Sequence, residues 1–504
     1  MDGSGGQGGT PWGPPELIET HSALIFLYGD QAHKVRKPLD LGFLDNRTVA
    51  ARGVQSRREV ALNRRLAPDV YTGVLEVRDD DEVVEYVVRR RRRPGHQSLA
   101  ALVRARTGDS SGVGGPDLVA GVREVARQVA GLHAVSPRSE EIDAAGRAGT
   151  VSALWAESLD HLRRLWPERR DREVVDRIDQ LASDYLRGRT ALLRDRIDAG
   201  RIVDGHGDLL AADVFLTADG PRVIDCLEFD DRLRYGDAVS DVAFLAMDLD
   251  RLGARDLAVV FLEAYRDASG DRAPRSYTHH HIAYRALVRA KVTAIRAGQD
   301  TGDGGSDATL ARTFAEASVD SLLRGRVRLV LVGGVSGSGK STLAGPLARA
   351  LGAELLRSDV VRGEVGDRAV GADRYSPRAV ARVYAELLDR ASALLARGHS
   401  VVLDATWLEP RRRVEAETVA VDAHAELVEI ACTAPREELR RRIRDRARAG
   451  SDPSEATTEV LDAQLTDPAP WPEALHIDTA GFDVRDPDAV RRWAEQELGP
   501  LPWA

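Results

Sequence analysis

A glycine-rich segment in the last third of the chain has the residue types and spacing of a phosphate-binding loop. An apolar run, residues 329–332, is followed by Gly-x-x-x-x-Gly-Lys-Ser, in which backbone N–H groups converge on phosphate oxygens. Lys340 adds a cation, and the Ser341 hydroxyl can bind Mg²⁺. A plain turn between a strand and a helix is the alternative, but the spacing and both flanks favour phosphate binding. The predicted nucleotide-binding residues are Gly334, Val335, Ser336, Gly337, Ser338, Gly339, Lys340, Ser341 and Thr342.

Charged residues downstream of this loop have the types needed for phosphoryl transfer. Asp359 follows a second predicted strand and is placed to orient or deprotonate an acceptor hydroxyl, whereas Asp404 ends an apolar strand and is placed to hold Mg²⁺. Arg442 and Arg446 are four residues apart, so they share one face of a predicted helix and can reach a transferring phosphoryl group if that helix is a lid. Helix capping and a solvated arginine face are the alternatives.

The first half contains a second pair of carboxylates, Asp208 and Asp225. Each follows or precedes an apolar strand, and a hairpin that turns near residues 219–220 joins them. A hairpin of this kind can bring both carboxylates into one cleft, where one accepts a hydroxyl proton and the other holds Mg²⁺ against nucleotide phosphates. Capping of loops and hairpin ends is the alternative interpretation.

The elements that must position these residues follow from the hydrophobic pattern. A hairpin over residues 23–38, a helix over 56–66 and strands over 72–77 and 83–89 precede a mainly helical middle. Strands and helices alternate after residue 328, which predicts a parallel sheet. The arginines of residues 89–93 are expected on a solvated strand edge. Three consecutive histidines, residues 279–281, are predicted to be a surface helix start, because neighbours on a helix point in different directions.

Length and composition place limits on the class of protein. With 504 residues, 43% of them hydrophobic, the chain is too long for one ordinary domain. We predict a disordered tail over residues 1–15, a first domain over 16–324 and a second over 325–504. The chain has no apolar run of about 18 residues and no secretory signal, which predicts a soluble, cytoplasmic protein with no membrane partner. A net charge of −9 argues against nucleic acid as a partner.

The first half resembles the aminoglycoside phosphotransferases, relatives of protein kinases that phosphorylate hydroxyls of small molecules. His206-Gly207-Asp208, the strand end at Ile224-Asp225 and Leu132-His133 carry this resemblance. It implies a protein-kinase-like fold over about residues 16–324, with Asp208 as the catalytic base and Asp225 as a metal ligand.

The same resemblance implies how the first half holds ATP. The strand with Lys34, Arg36 and Lys37 would face the phosphates, and Glu59 would be its helix partner. Alternation along the strand puts Lys34 and Arg36 on one face and Lys37 on the other, so the cation that reaches the phosphates stays open. Asp213 stands where the family usually has asparagine as a second Mg²⁺ ligand, and aspartate is also a hard oxygen donor.

The second half resembles the small P-loop kinases, especially those near polynucleotide kinase and those that phosphorylate antibiotics and sugars. The residues that carry this similarity are 358–362, 403–406 and the two spaced arginines. Together the two resemblances indicate a bifunctional phosphotransferase with α/β and α+β domains. They imply an ATP- and Mg²⁺-dependent kinase that acts on a small-molecule hydroxyl, such as a sugar, an aminoglycoside-like compound or a nucleoside. A non-catalytic nucleotide sensor and a nucleic-acid 5′-hydroxyl kinase remain alternatives, and the acceptor and oligomeric state stay open.

Overall fold

The computed structural model describes residues 15–20, 22–40, 45–108, 117–299, 304–365, 376–449, 457–466 and 469–503. The predicted disordered tail lies outside these residues, except for residue 15. The chain forms two compact units, one of Met1–Gly146 with Ala199–Arg272 and one of Arg147–Asp198 with Ala273–Ala504. The boundary predicted near Gly325 therefore falls inside the second unit, because earlier helices bond to later segments. For example, the Ser276 hydroxyl donates to the carbonyl of Gly398 at 2.6 Å.

The first unit begins with an antiparallel sheet of order β1-β2-β3-β5-β4. Its strands are β1 (Glu16–Glu19), β2 (Ala23–Tyr28), β3 (Gln31–Arg36), β4 (Tyr71–Asp79) and β5 (Glu82–Arg91). The predicted hairpin is confirmed, with Ala23 opposite Arg36 and Tyr28 opposite Gln31. Helix α1 (Val49–Asn63) starts seven residues earlier than predicted, where the Thr48 hydroxyl caps the N–H of Ala51.

The rest of the first unit is helical with two short two-stranded ladders. The helices are α2 (Leu99–Gly108), α3 (Leu118–Ala134), α4 (Glu140–Ala144), α8 (Ala238–Arg251) and α9 (Arg255–Ser269). The strands β6 (Ile202–Asp204) and β9 (Tyr235–Asp237) form one ladder, and β7 (Val214–Thr217) and β8 (Gly220–Val223) form the other, which is the predicted hairpin. This hairpin lies between the loops that carry Asp208 and Asp225.

The second unit has the predicted parallel sheet, and the order of its strands is β11-β12-β10-β13-β14. Its strands are β10 (Arg328–Gly333), β11 (Glu354–Arg357), β12 (Val401–Asp404), β13 (Glu426–Thr433) and β14 (Leu475–Asp478). Every residue of β10 is buried, because helices cover both faces of a parallel sheet. The carboxyl ends of β10 and β12 meet at one edge, where Val332 is opposite Asp404.

Some helices of the second unit precede the first strand of the sheet in the sequence, and the others follow it. Those before the sheet are α5 (Ala148–Leu165), α6 (Arg169–Arg187), α7 (Thr190–Asp198), α10 (Arg275–Gln299) and α11 (Gly304–Arg324). Those that follow β10 in the sequence are α12 (Lys340–Leu351), α13 (Ser358–Val365), α14 (Pro377–Leu395), α15 (Pro410–Asp422), α16 (Arg436–Ala449), α17 (Thr458–Gln464) and α18 (Pro487–Leu498). None of the described helices is long and apolar enough to cross a membrane.

The three consecutive histidines do not begin a surface helix, so that prediction was wrong. His279, His280 and His281 lie on α10 and are 3%, 1% and 6% exposed. His279 accepts a hydrogen bond from the backbone N–H of Trp503 at 3.2 Å, and His280 stacks on Tyr185 with ring centroids 4.5 Å apart. Neighbouring positions do point in different directions, but packed elements surround α10 on all of these sides.

Candidate active sites

Two cations of β3 meet one buried carboxylate in the first unit. Lys34 Nζ is 3.0 Å from Glu59 Oε1, and Arg36 Nη2 is 2.6 Å from Glu59 Oε2. Glu59 is 1% exposed on α1, and Arg36 also bonds Glu228 at 2.7 Å. Both cations therefore lie on the site face of the strand. Lys37 points to the opposite face and pairs with Glu19 at 2.5 Å, so the structure does not bring it to the site.

Electrostatics hold Lys34 in its charged form. Burial alone would lower the pKa of Lys34, but the negative charges of Glu59, Glu228 and Asp225 outweigh it, and the pKa is raised. A lysine that stays protonated can attract an anionic phosphate, which must then compete with these carboxylates. The predicted Lys34–Glu59 partnership is present in the structure, and Arg36 shares it.

Asp225 is held by two side chains that sequence reasoning missed. Arg90 Nη1 and the Tyr71 hydroxyl each lie 3.2 Å from Asp225 Oδ1. Partial removal from water by the surrounding protein would raise the pKa of Asp225, but the positive charges of Arg90 and Lys34 outweigh this effect, and the pKa is lowered. Asp225 also has a left-handed backbone, φ 59°, which is strained for a residue with a side chain. Arg90 belongs to the run expected on a solvated edge, and that expectation was wrong for this residue.

The loop that carries Asp208 is fixed by a buried carboxylate on α8. Asp241 accepts hydrogen bonds from the backbone N–H groups of His206 at 2.8 Å and Gly207 at 2.9 Å. His133 Nε2 lies 3.0 Å from the same carboxylate. Burial would raise the pKa of Asp241, but these hydrogen bonds and His133 lower it. The His-Gly-Asp motif thus owes its position to Asp241.

Asp213 lies close enough to Asp225 and Asp208 for their negative charges to affect its protonation. Burial and the charges of Asp225 and Asp208 raise its pKa well above the ordinary value. Three carboxylates that repel one another are a donor set that fits Mg²⁺, because a divalent cation relieves the repulsion. Among the described residues, no three acidic, histidine or cysteine side chains are close enough to hold a metal ion by themselves. Nucleotide phosphates and water would have to complete the coordination.

The glycine-rich loop of the second unit connects the central strand β10 to α12. Gly334 has φ 138°, and a Cβ there would lie 2.5 Å from the carbonyl oxygen of Cys432. Gly337 has φ 83°, and its Cβ would lie 2.8 Å from the carbonyl oxygen of Leu439. Only glycine fits both positions, so the sequence spacing reflects a real steric demand. Lys340 starts α12, and its side chain forms no hydrogen bond or ion pair with another described residue.

Asp404 is the acidic residue beside this loop. It is 3% exposed, its Oδ2 pairs with Arg357 Nε at 3.1 Å, and its Oδ1 has no hydrogen-bond partner among the described residues. A buried carboxylate oxygen without a donor is costly in free energy. This unmatched acceptor at the carboxyl edge of the sheet fits a hydrated Mg²⁺, as the sequence predicted for Asp404. Ser341 follows Lys340 on the first turn of α12 and is the other predicted ligand.

The remaining predicted residues of the second site differ in how they are held. Asp359 lies at the start of α13 and pairs with Arg362 at 2.5 Å. Arg442 on α16 contacts the loop directly, with Nη1 3.3 Å from the carbonyl oxygen of Gly337 and 2.8 Å from Thr479 Oγ1. Arg446 is half-buried one turn further along α16. The structure thus brings Arg442 to the phosphate loop.

Gln464 is a further residue at this loop that sequence reasoning missed. Its side-chain oxygen accepts the backbone N–H of Ser336 at 2.8 Å, and it ends helix α17. Leu439, Ile443 and Leu461 form a small apolar cluster between α16 and α17, with Val335 of the loop packed against it. An isolated glutamine carries no recognisable spacing, so only the tertiary structure could identify it.

Comparison with known proteins gives the class of each half. The family model described as "Phosphotransferase enzyme family" matches residues 54–278, and the model described as "AAA domain" matches residues 329–469. The chain therefore joins a phosphotransferase domain of the kinase-like type to a P-loop kinase-like domain. Both resemblances inferred from the motifs are confirmed.

A whole-chain relative identifies the family. The uncharacterized protein Rv2004c of Mycobacterium tuberculosis is 40% identical over 475 residues, which cover 92% of both chains. The protein belongs to the same two-domain family as this relative. Among solved structures, a choline/ethanolamine kinase family protein from Mesorhizobium loti is 17% identical and covers 63% of this chain and 94% of that chain, with a TM-score of 0.37. The Mycobacterium tuberculosis APS kinase, in complex with AMPPNP and APS, is 26% identical and covers 34% of this chain and 98% of that chain, with a TM-score of 0.26.

Proposed function

We propose that the protein is an ATP- and Mg²⁺-dependent kinase that transfers a phosphoryl group to a hydroxyl of a small molecule. The buried Asp404 carboxylate, with one unmatched oxygen beside the glycine-rich loop, is the observation that carries this proposal. It places an acidic acceptor at the strand edge where a metal ion and nucleotide phosphates would meet. The two kinase-like domains support phosphotransferase activity as the general class.

In the second unit, each predicted residue has a distinct task. Lys340 and the loop N–H groups bind phosphate oxygens. Asp359 accepts the proton of the acceptor hydroxyl as the hydroxyl oxygen bonds to the γ-phosphorus, the bond from this phosphorus to the β,γ-bridging oxygen breaks, and ADP leaves. Mg²⁺, when bound through Ser341 and Asp404, neutralises charge on the phosphates. Arg442 lies close enough to the loop to stabilise negative charge that develops on the transferred group.

In the first unit, the same reaction would use side chains in place of a glycine-rich loop. Lys34 and Arg36 would bind the nucleotide phosphates, with Glu59 orienting both cations. Asp208 would accept the hydroxyl proton, while Asp225 and Asp213 would hold Mg²⁺. The two units can act on the same metabolite or on different ones.

The test is ATP consumption measured against a library of sugars, aminoglycosides and nucleosides. The parent is compared with Lys340→Ala, Asp359→Asn and Asp208→Ala, and phosphate transfer from labelled ATP into the acceptor is followed directly. Arg349→Gln is the control, because Arg349 is exposed on the last turn of α12, away from the loop. We expect the parent to phosphorylate at least one acceptor. Lys340→Ala or Asp208→Ala should abolish this activity, and the control variant should retain it.

The pattern of losses separates the alternatives. Loss in Lys340→Ala alone contradicts a working first site for the acceptors tested. Nucleotide binding without transfer to any acceptor favours the sensor, whereas transfer only to nucleic-acid 5′ ends favours the polynucleotide alternative. Equal activity in all variants contradicts the whole assignment.

A further inference from the structure

A cavity of about 330 Å³ lies within the second unit, between helices α6, α10 and α11 and the start of strand β13. This volume is at the small end of the usual range for ligand sites, about 300–1,000 Å³. Tyr185, Arg189, His280, Arg326 and Glu426 are among the residues that line it. The candidate catalytic and nucleotide-binding residues do not line it, so it is a separate feature of the unit.

Arg189 is a buried cation in the wall of this cavity. Its side chain is 0% exposed. Its Nη1 donates to the carbonyl oxygens of Gly188 at 2.7 Å and Ala423 at 2.8 Å, and its Nη2 donates to the carbonyl oxygen of His424 at 3.3 Å. No carboxylate pairs with it in the described part of the chain, and its Nε–H has no acceptor there. Burial lowers the pKa of Arg189, because a charged guanidinium is disfavoured away from water. Buried charges in proteins are ordinarily paired, but among the described residues this guanidinium has only three carbonyl oxygens and the Tyr185 ring, whose centroid lies 5.3 Å away, and no opposite charge compensates it.

His280 provides a second unmatched donor on the same wall. Its Nε2 lies 3.1 Å from Trp155 Nε1, and an indole N–H can only donate, so Nε2 carries no proton. Burial lowers the pKa of His280 well below its ordinary value, and the ring is neutral at physiological pH. The ring proton is therefore on Nδ1, and Nδ1 has no hydrogen-bond partner among the described residues.

The charges around the cavity favour an anion. Arg326 lines it with 26% of its side chain exposed, and Glu426 is shared between Arg326 at 3.0 Å and Arg328 at 2.8 Å. Asp184 also lines the cavity but pairs with Arg187. One carboxylate thus serves two arginines, and Arg189 adds a third positive charge.

We propose that this cavity binds a small anion whose carboxylate or phosphate oxygens accept hydrogen bonds from Arg189 and His280 and face Arg326. This site goes beyond the phosphotransfer function and does not depend on it. Because the walls come from α6, α10 and β13, a bound anion would link helices that precede the parallel sheet to the sheet itself. Binding should therefore raise the stability of the second unit by mass action.

The test uses the full chain with Lys340→Ala, which removes the loop lysine as a phosphate site. Inorganic phosphate and malonate are titrated separately, with sodium chloride at matched ionic strength, and the thermal unfolding midpoint and calorimetric binding are measured. We expect saturable binding and a raised midpoint with at least one probe. A response to phosphate alone or to malonate alone distinguishes the two sources of anionic oxygen, and either one supports the site.

Three added substitutions locate the binding. Leu181→Trp fills the cavity without changing charge, Arg326→Glu reverses the exposed cation, and Arg189→Lys keeps the charge but removes the unmatched Nε–H. Each should weaken binding about tenfold or more, because Leu181→Trp removes space, Arg326→Glu repels an anion and Arg189→Lys removes one charge-assisted hydrogen bond. Arg169→Gln, an exposed arginine on the same helix α6, should bind like the background.

Two outcomes would overturn the proposal. One is the absence of saturable binding of either probe by the Lys340→Ala protein. The other is binding that Leu181→Trp and Arg326→Glu leave unchanged, since it would then occur elsewhere on the chain. Both variants change partly exposed side chains, so the test does not depend on Arg189→Lys, whose side chain also caps the carbonyl of Ala423.

Discussion

The two candidate sites present cations to a nucleotide in different ways. In the first unit, Lys34 and Arg36 are already paired with Glu59, and Arg90 is paired with Asp225. In the second unit, the Lys340 side chain forms no ion pair among the described residues, and the loop offers backbone N–H groups. A nucleotide can therefore bind the loop without breaking ion pairs, whereas in the first unit it must compete with the protein's own carboxylates. We expect the loop to be the tighter nucleotide site.

The largest expected effect on activity tests that difference at Lys340. Lys340→Ala should lower the rate of phosphoryl transfer by the second unit about 10²–10³-fold, the usual cost of removing one charge-stabilising donor. Transfer from labelled ATP, measured with Arg349→Gln as the control, checks this. A loss smaller than about tenfold would show that the loop lysine is dispensable and would remove the contrast between the sites.

The second prediction compares two glutamates that each pair with a lysine near β3. Glu59→Gln leaves Lys34 and Arg36 without their buried partner and should destabilise the first unit by about 3–5 kcal/mol. Glu19→Gln removes the exposed partner of Lys37, at 66% exposure, and should change stability by less than about 1 kcal/mol. Urea unfolding followed by hydrogen exchange of β3 measures both. Equal effects would mean that the buried network is no stronger than a surface pair.

The third prediction concerns Asp241 and acid. Its pKa is lowered in the folded protein, so it contributes stability that is present above the unfolded value, about pH 4, and is lost as the pH falls through the folded value. Asp241→Asn should cost about 2–3 kcal/mol at pH 7, because an amide oxygen replaces a carboxylate that accepts from two backbone N–H groups. It should also flatten the pH dependence below pH 4. Acid titration of the unfolding free energy tests both, and a variant with the parent's slope would contradict the assignment.

The smallest effect separates the two lysines of β3. Lys34→Met should weaken nucleotide binding by the first unit about tenfold, the value of one charge-assisted hydrogen bond. Lys37→Met should leave it within about twofold, because Lys37 points to the other face and pairs with Glu19. Calorimetry in a Lys340→Ala background isolates the first unit. A stronger effect at Lys37 would show that the strand presents its opposite face to the nucleotide.

The comparison also explains which features the sequence could predict. The glycine-rich loop is one continuous segment in which steric contacts require glycine at Gly334 and Gly337, so its position was predicted correctly. The parallel sheet was also predicted correctly. Side-chain alternation on β3 correctly placed Lys37 apart from Lys34. These inferences needed only local geometry.

Features that depend on tertiary packing escaped prediction. Arg90 and Tyr71 reach Asp225 from strands more than 130 residues earlier, and nothing in a run of arginines tells which one faces a cleft. The burial of His279–His281 depends on helices that surround α10, so a rule for isolated helices failed. The roles assigned to the candidate catalytic, phosphate-binding and metal-binding residues of both units, and the domain limits, remain predictions.

The order of the segments along the chain limits how the two units can be separated, by proteolysis or during evolution. The first unit is made of two stretches, and residues 147–198 of the second unit lie between them in the chain. The polypeptide therefore passes from one unit to the other three times. No single cut, by a protease or by recombination of a gene, can release either unit intact. A fragment that begins at Val327 would lose α6 and α10 and leave the carbonyls of Gly398 and Ala423 without their donors. The two halves should be exchanged among relatives as one piece.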